Sequence, residues 1–167
     1  AGRVTAAAHR EGGLVKEVSF MNVPSFVFAA DKQVSVPDLG LIHYDVAYGG
    51  AFYAFCRAEE LDLQLDTKHY QALIDAGRRI KYAVMDELEI THPFEDDLGF
   101  LYGTIIVGPP ENPSRHSRNV CIFAEGEVDR SPTGTGVSAR AAIHTARGEV
   151  DIGEAIVIES ILGTWFQ

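Results

Sequence analysis

The sequence predicts a single α+β domain, and three observations lead to that prediction. Apolar and polar residues alternate in many short runs, which is typical of half-buried β-strands. One long segment, 66–86, instead carries apolar residues at helical spacing. A second helix follows a glycine-rich turn near residue 134, and a chain of 167 residues is long enough to bury a substantial core. Many strands combined with these two helices indicate the α+β class.

The predicted strands begin with a β-hairpin. Residues 4–8 and 14–20 alternate on either side of a turn at 11–13. The later strand-like runs are 23–29, 33–36, 41–48, 51–55, 98–107, 119–125 and 155–162. Gly49 and Gly50 separate two of these runs, and such a pair predicts a turn or a bulge. The alternative is that the absent side chains let the backbone approach a neighbouring element closely.

The long helix over 66–86 should pack one face against the core. Asp66 or Thr67 can cap its first turn. Its apolar stripe consists of Tyr70, Leu73, Ile74, Ile80 and Val84. Gly77 lies inside this stripe at a cost of about 1 kcal/mol relative to alanine, which close packing would explain. The acidic segment after the helix predicts a solvated loop, with His92 as a surface histidine.

Composition narrows the range of partners. Hydrophobic residues make up 46% of the chain, as in a globular protein, and the formal net charge is −10. This charge argues against nucleic acid or an anionic membrane, since both require clustered lysine and arginine. Apolar runs are too short for a membrane span. Cys56 and Cys121 have no metal-ligand spacing, and the histidines form no ligand cluster, so we expect no metal and two buried thiols in a reducing cytoplasm.

The segment 129–140, DRSPTGTGVSAR, lies between a strand-like run and an apolar helical run. The first amides of a helix lack intrahelical acceptors and carry partial positive charge, so they suit a carboxylate or a phosphate. Asp129 adds a carboxylate four residues before Thr133 and can take an ammonium group. An anion site and a cation site within one turn suggest that the segment binds an amino-acid zwitterion.

Two other interpretations of this segment stay open. Residues 134–139 have the pattern Gly-x-Gly-x-x-Ala, which is the dinucleotide-binding fingerprint. The Asp-Arg-Ser-Pro sequence before the glycines fits poorly with the tight strand-to-helix turn that the fingerprint requires. The remaining interpretation is an ordinary glycine-rich turn that starts a core helix and binds nothing.

The twelve residues 129–140 resemble the second active-site motif of the proline racemase family, which includes proline racemases, 4-hydroxyproline epimerases and trans-3-hydroxy-L-proline dehydratases. Four further segments resemble the family in order: 18–27 (VSFMNVPSFV), 45–54 (DVAYGGAFYA), 119–124 (NVCIFA) and 159–164 (ESILGT). The resemblance implies one lobe of a pseudo-symmetric, diaminopimelate epimerase-like fold, in which a curved mixed β-sheet wraps around a central helix. That helix would span 133–147, with its N-terminus facing the cleft between two lobes.

The resemblance also implies a chemistry. The family uses no cofactor, and its racemases and epimerases place one cysteine on each face of the substrate α-carbon. Thr133 occupies the position of the second cysteine, and a threonine hydroxyl cannot exchange α-protons at working pH. Deprotonation from one face, followed by loss of water from C3, is still possible. The resemblance therefore points to dehydration of trans-3-hydroxy-L-proline, which gives Δ1-pyrroline-2-carboxylate. The alternative is a 4-hydroxyproline epimerase or a proline racemase.

Residue roles carry over by position from the family motif. Asp129 should bind the ring nitrogen, and the amides of Gly134 and Thr135 should bind the carboxylate. Phe123 should form part of an apolar wall, unless it is an ordinary core aromatic. Asp129 has the alternative role of a helix cap. Thr133 should lie on the exposed cleft face and either assist departure of the hydroxyl or fill the space.

A departure from the family pattern concerns the other lobe. The first-lobe motif, a Met-Cys-Gly-His-like segment, is absent from the sequence, and neither Cys56 nor Cys121 matches it. The sequence also has no initiator methionine and no signal peptide. From these observations we expect a single domain over 1–167 that is one lobe of a longer cytoplasmic enzyme. We expect the lobe to be inactive alone. Its expected partners are proline or hydroxyproline and the missing first lobe, and the resemblance allows a homodimer of the full-length protein.

Overall fold

The computed structural model describes residues 3–167. Within these residues it contains a two-stranded hairpin, an eight-stranded mixed sheet and two α-helices. The hairpin strands are β1 (Thr5–Glu11) and β2 (Leu14–Met21), so the predicted hairpin is confirmed. The large sheet consists of β3 (Phe26–Val36), β4 (Gly40–Tyr48), β5 (Phe52–Arg57), β6 (Leu101–Gly108), β7 (Ser117–Phe123), β8 (Glu127–Val128), β9 (Ile158–Glu159) and β10 (Trp165–Phe166). The helices are α1 (Tyr70–Glu87) and α2 (Gly134–Ala146).

The large sheet is curved and unclosed, and its strands run in the order β10-β9-β7-β6-β5-β4-β3, with β8 paired to β7. The pairs β5–β6 and β7–β9 are parallel, whereas the other pairs are antiparallel. A parallel pair needs a crossover connection. The two helices lie in these crossovers, α1 between β5 and β6 and α2 between β7 and β9.

The helices cover opposite faces of the sheet because successive side chains of a strand point in opposite directions. In β5, Tyr53 and Phe55 pack in the hydrophobic cluster that contains Ala139 of α2. Phe52 packs in the larger cluster that contains Leu73 of α1. The predicted α+β class and the curved mixed sheet are therefore confirmed.

Three of the predicted strand runs are wrong in their boundaries. The runs 23–29 and 33–36 form the single strand β3, because the pairing with β4 continues through register shifts around Asp31, whose φ is 54°. The predicted final strand is reduced to the two residues of β9. A turn follows, in which the amide of Gly163 donates to the carbonyl of Ser160 at 3.0 Å, and β10 then pairs back antiparallel.

The predicted apolar stripe of α1 is confirmed except at Tyr70, which begins the helix and is 46% exposed. Asp66 acts as a cap, since its carboxylate accepts hydrogen bonds from two amides of a short 3₁₀ turn (Thr67–His69). The prediction of a surface histidine at His92 is wrong. Its loop folds back over an aromatic cluster, and the half-buried ring lies 4.8 Å from that of Tyr48. Neither helix in residues 3–167 is long and apolar enough to cross a bilayer.

Two glycines set the distance between each helix and the sheet. A Cβ atom at Gly77 of α1 would lie 2.7 Å from the Cβ of Ile122, which confirms the close packing expected there. A Cβ atom at Gly49 would lie 2.2 Å from the carbonyl oxygen of Thr135 and 2.5 Å from the amide nitrogen of Ala139. The close-approach interpretation of Gly49 is therefore correct, and the turn between β4 and β5 lies directly against the start of α2.

Candidate active site

The chain enters α2 through a hydrogen-bonded turn built from its own polar side chains. The amide of Asp129 donates to the carbonyl of Cys121 on β7 at 3.0 Å. One carboxylate oxygen of Asp129 accepts from the amide of Ser131 at 2.8 Å, and the other accepts from the hydroxyl of Thr133 at 3.0 Å. The amide of Thr133 donates in turn to the hydroxyl of Ser131 at 3.0 Å. These bonds position the Asp129 carboxylate beside the first turn of the helix.

Thr133 holds an unusual backbone conformation, with φ of 69° and ψ of 93°. A side chain in such a sparsely populated region costs on the order of 1–3 kcal/mol and is found most often at functional sites. The bonds to Ser131 and Asp129 offset that cost. The helix therefore begins at Gly134 with Thr133 as its N-cap residue, although the Thr133 side chain bonds to Asp129 rather than to a helix amide.

The first amides of α2 are available to a ligand. The first hydrogen bond at this end runs from the amide of Val137 to the carbonyl of Thr133, at 2.7 Å. The amides of Gly134, Thr135 and Gly136 have no acceptor within residues 3–167. Three unpaired N–H groups at the positive end of a 13-residue helix can donate hydrogen bonds to an anion. The unpaired amides and the Asp129 carboxylate thus lie within about one turn of each other.

A cavity of about 340 Å³ brings all of the predicted site residues together. Asp129, Thr133, Gly134, Thr135 and Phe123 all line it. The cavity therefore combines a carboxylate, unpaired amides and an aromatic ring. This arrangement can hold a small ring that carries a cationic nitrogen and a carboxylate.

The predicted exposure of Thr133 is wrong. The residue is only 5% exposed, because its hydroxyl points back to Asp129. The backbone just before Thr133 is also fixed in place, since the side-chain amide of Asn119 donates to the carbonyl of Pro132 at 3.4 Å. Thr133 is thus a buried residue of the cavity lining and does not lie on an open face. Asp129 does not cap α2, because its amide partner, Ser131, lies before the helix.

Aromatic residues that were not predicted complete the cavity wall. Tyr102 stacks on Phe123 with ring centroids 5.4 Å apart, and Tyr53 packs edge-on against Tyr102 at 5.7 Å. The hydroxyl of Tyr53 lies 2.7 Å from that of Thr135, which ties β5 to the first turn of α2. Tyr53 belongs to the segment 45–54 that resembles the family, and this was the available signal. Burial raises its pKa, so the phenol stays protonated.

The hairpin closes one side of the cavity. Phe20 of β2 lies over the helix start, with its ring 3.0 Å from the place that a Cβ of Gly134 would occupy. Asn22, just after β2, donates from its side-chain amide to the carbonyl of Gly49 at 2.7 Å. Val4 completes this side. Residues more than a hundred positions before the motif therefore shape the site.

The two cysteines do not supply a thiolate. Both are buried and unbridged, as expected. Burial raises the pKa of Cys121, which lines the cavity, to about 12, although the Thr133 hydroxyl works in the opposite direction. Burial likewise raises the pKa of Cys56 to about 12. Neither thiol can act as a base near neutral pH.

A family model and the sequences of individual relatives both match this chain, and they indicate the same family. All 167 residues match the family described as proline racemase. A trans-3-hydroxy-L-proline dehydratase from Colwellia psychrerythraea is 50% identical over 165 residues, which are 99% of this chain and 46% of that protein. A proline racemase from Clostridioides difficile is 37% identical over 93% of this chain and 46% of its own length. The chain spans about half the length of the curated relatives that it matches.

A solved structure of a related protein has the same fold as this chain. The crystal structure of a hydroxyproline epimerase from Agrobacterium vitis, with bound trans-4-hydroxy-L-proline, superposes with a TM-score of 0.90 at 32% identity. The superposition covers 97% of this chain and 46% of that one. The fold described here therefore corresponds to about half of the epimerase.

Proposed function

Because this chain belongs to the proline racemase family, we propose that it forms the Thr-bearing lobe of a two-lobe enzyme that dehydrates trans-3-hydroxy-L-proline. The observation that carries this proposal is the side chain of Thr133, which stands where family racemases have their second cysteine. Its hydroxyl donates to Asp129 at 3.0 Å. The relatives named as trans-3-hydroxy-L-proline dehydratases, at 42–50% identity in the bacterial and human proteins, support the same choice.

The cavity of about 340 Å³ suits the substrate, a five-membered ring with a secondary ammonium and a carboxylate. The Asp129 carboxylate binds the ring nitrogen, and it has capacity left because each of its oxygens accepts a single hydrogen bond in the structure. The unpaired amides of Gly134 and Thr135 bind the carboxylate. Phe123, stacked on Tyr102, packs against the ring carbons.

The reaction then proceeds from one face of the ring. A base on the other lobe removes the α-proton, the C3–oxygen bond breaks, and the hydroxide leaves with a proton as water. The resulting enamine moves a proton from nitrogen to C3 and becomes Δ1-pyrroline-2-carboxylate. Thr133 provides no second proton carrier, because its hydroxyl pKa lies far above working pH. The α-proton is therefore not returned from the opposite face, and elimination is favoured over racemisation.

The second candidate function is epimerisation or racemisation of proline derivatives. It is favoured by the 32% identical hydroxyproline epimerase and by the 37% identical proline racemase. Incubation of the two-lobe protein in D₂O separates the candidates. Dehydration converts trans-3-hydroxy-L-proline to Δ1-pyrroline-2-carboxylate with deuterium at C3, whereas epimerisation of trans-4-hydroxy-L-proline gives a product that is deuterated and inverted at Cα. Formation of the inverted product from 4-hydroxyproline or L-proline, without dehydration of the 3-hydroxy substrate, would contradict the proposal.

The role of Asp129 can be tested in the same protein. Asp129→Asn should lower kcat/KM by roughly 10- to 100-fold, because a hydrogen bond to a charged group contributes about 1.5–3 kcal/mol. Glu127→Gln is the matched control, since it removes an exposed carboxylate two residues earlier, outside the cavity. Equal activity in the two variants would exclude Asp129 as the ligand of the ring nitrogen.

A dinucleotide-binding role is the alternative of a different class. The Gly-x-Gly-x-x-Ala pattern lies inside α2, and the residues before it form a side-chain-bonded turn after the two-residue strand β8. A long parallel strand leading directly into the helix is what a dinucleotide site needs. In calorimetric titrations of the two-lobe protein, we expect pyrrole-2-carboxylate, a planar mimic of the deprotonated ring, to bind and NAD not to bind. The reverse result would favour the dinucleotide class.

The remaining expectations about location and partners are part of the same proposal. Two buried, unbridged cysteines support a reducing cytoplasm, and the net charge of −10 argues against nucleic acid or an anionic membrane as a partner. A homodimer of the two-lobe protein is a further prediction, which light scattering would test.

A further inference from the structure

A second cavity, of about 390 Å³, lies at the opposite end of α2, against β3, β4 and β5. Arg140, His144 and Arg147 follow one another at spacings of four and three residues and all line it. About ten residues of helix, roughly 15 Å, separate His144 from Gly134. The second cavity is therefore distinct from the candidate active site.

The carboxylates of the second cavity are already paired. Arg147 donates from Nη2 to Asp31 at 2.8 Å and to Asp45 at 2.9 Å. The other two carboxylates contact imidazoles, in the pairs Glu60–His43 and Glu149–His144. None of the four acids contacts Arg140. The acids of the cavity are thus satisfied by their neighbours.

Within residues 3–167, Arg140 has no carboxylate at ion-pair distance, and Glu149 acts on it only as a more distant charge. Arg140 is 5% exposed, and its Nη1 donates to the side-chain oxygen of Asn119 at 2.8 Å. Among residues 3–167 it forms no ion pair with a carboxylate. A buried guanidinium without a partner charge is costly, since desolvation disfavours the charged form. The same burial lowers the pKa of Arg140 to about 10. An anion in the cavity would relieve this cost.

His144 offers a second polar group without a partner. Its Nδ1 contacts the carboxylate of Glu149 at 2.5 Å. Its Nε2 is buried and has no hydrogen-bond partner within the described part of the chain. The ring also packs edge-on against His116, with centroids 4.9 Å apart. Burial lowers the pKa of His144, although the bond to Glu149 works in the opposite direction, so in the neutral ring Nδ1 donates to Glu149 and Nε2 is an acceptor. An entering anion would favour uptake of a proton by the ring, which would then donate from Nε2 as well, with Glu149 balancing its charge.

We propose that the second cavity binds a small, singly charged carboxylate through Arg140 and His144. A carboxylate supplies two acceptor oxygens, which match the fork of a guanidinium and one imidazole N–H. A single charge is favoured because four carboxylates and three arginines line the cavity, so a dianion would meet more repulsion. This site is additional to the proposed catalytic function and does not depend on it.

Acetate is the probe for this proposal, titrated into the ¹⁵N-labelled two-lobe protein at constant ionic strength. NMR should show saturable shifts of the His144 ring nitrogens and of the Arg140 Nε–H. Inorganic phosphate at the same ionic strength should bind at least tenfold more weakly. The absence of saturable shifts with acetate would overturn the proposal. Phosphate binding as tight as that of acetate would overturn the assignment to a singly charged ligand.

Three variants locate the binding. Arg140→Met keeps the aliphatic stem but removes the charge, and it should weaken acetate binding at least tenfold. Arg57→Met is the matched control, since it removes an equal charge from an exposed position on the same cavity and should change the affinity less than twofold. An equal loss in both variants would mean general attraction and would overturn the proposal.

His144→Phe decides the question if Arg140→Met does not fold. It keeps a ring against His116 and removes the Nε2 donor, so acetate should bind at least fivefold more weakly. Unchanged affinity in the folded His144→Phe variant would contradict the role assigned to His144. A folded Arg140→Met variant with unchanged affinity would contradict the site as a whole.

Discussion

Gly49→Ala should strongly reduce the activity of the two-lobe protein, although residue 49 does not contact the substrate in the proposed site. The added methyl group would lie 2.2 Å from the carbonyl oxygen of Thr135 and 2.5 Å from the amide nitrogen of Ala139. Both are backbone atoms of α2, so neither can rotate away as a side chain would. Ordinary contact begins at about 3.4 Å, and the start of α2 must therefore shift by roughly 1 Å from the β4–β5 turn.

The shift would affect catalysis more than it affects folding. A misplacement of about 1 Å in a group that positions the substrate can cost about 100-fold in rate, so kcat/KM should fall by about that factor. Overpacking of this kind costs about 1–3 kcal/mol in the free energy of unfolding. Turnover of trans-3-hydroxy-L-proline and urea unfolding measure the two quantities separately.

Gly77→Ala is the matched control for this experiment. Its methyl group would meet Ile122 on the face of the sheet that packs against α1, with a closest distance of 2.7 Å. The expected loss of stability is similar, about 1–3 kcal/mol, but the helix start at Gly134 should stay in place. A folded Gly49→Ala protein with full turnover would refute the reasoning, as would an equal loss of turnover in both variants.

Three further predictions follow from single contacts. Glu159→Gln should lower the free energy of unfolding by about 1.5–3 kcal/mol, because it removes the buried charge that accepts hydrogen bonds from Arg118 and from two backbone amides, while Glu111 still pairs with Arg118. Burial alone would raise the pKa of Glu159, but hydrogen bonds from backbone amides and from Arg118 lower this pKa to about 2. The ionised Glu159 side chain therefore contributes its full stabilisation above about pH 4.5, and this stabilisation is lost as pH falls towards 2. Tyr53→Phe removes the 2.7 Å contact with Thr135 and should cost about 1 kcal/mol in urea unfolding. Thr133→Cys in the two-lobe protein should gain α-proton exchange with L-proline in D₂O, because a thiol then stands on the second face of the α-carbon.

Each of these predictions has a result that contradicts it. Acid unfolding of the Glu159→Gln variant that still tracks the wild-type curve below pH 4 would show that another carboxylate governs this range. Unchanged stability in Tyr53→Phe would mean that water replaces the bond to Thr135. A folded Thr133→Cys protein that incorporates no deuterium would argue against this position as a proton carrier.

Local sequence was sufficient for the start of α2 and for most of its site residues. Asp129, Ser131 and Thr133 are close in the chain, and their short polar side chains bond to one another and to nearby amides. The glycines that follow leave the first amides accessible. These interactions span four residues or fewer, so the motif that predicted the start of the helix also contains the residues that form the turn before it.

The exposure of Thr133 and the environment of His92 depended on distant parts of the chain. Thr133 is buried because its carboxylate partner turns the hydroxyl inward and because Asn119 of β7 holds the preceding carbonyl. His92 is half-buried because its loop crosses an aromatic cluster that includes Tyr48. Apolar periodicity describes one element at a time, so it could not indicate which loop covers which face.

The sequence by itself determined the α+β class and the position of α2, because apolar periodicity and turn signals are local properties. The tertiary structure alone decided that Tyr53 bonds to Thr135, 82 positions later, and that the hairpin carrying Phe20 covers Gly134. The same holds for the contact between Gly49 and the backbone of α2. Such pairs depend on sheet order, register and helix placement, which are set by the packing of the whole core rather than by any single segment.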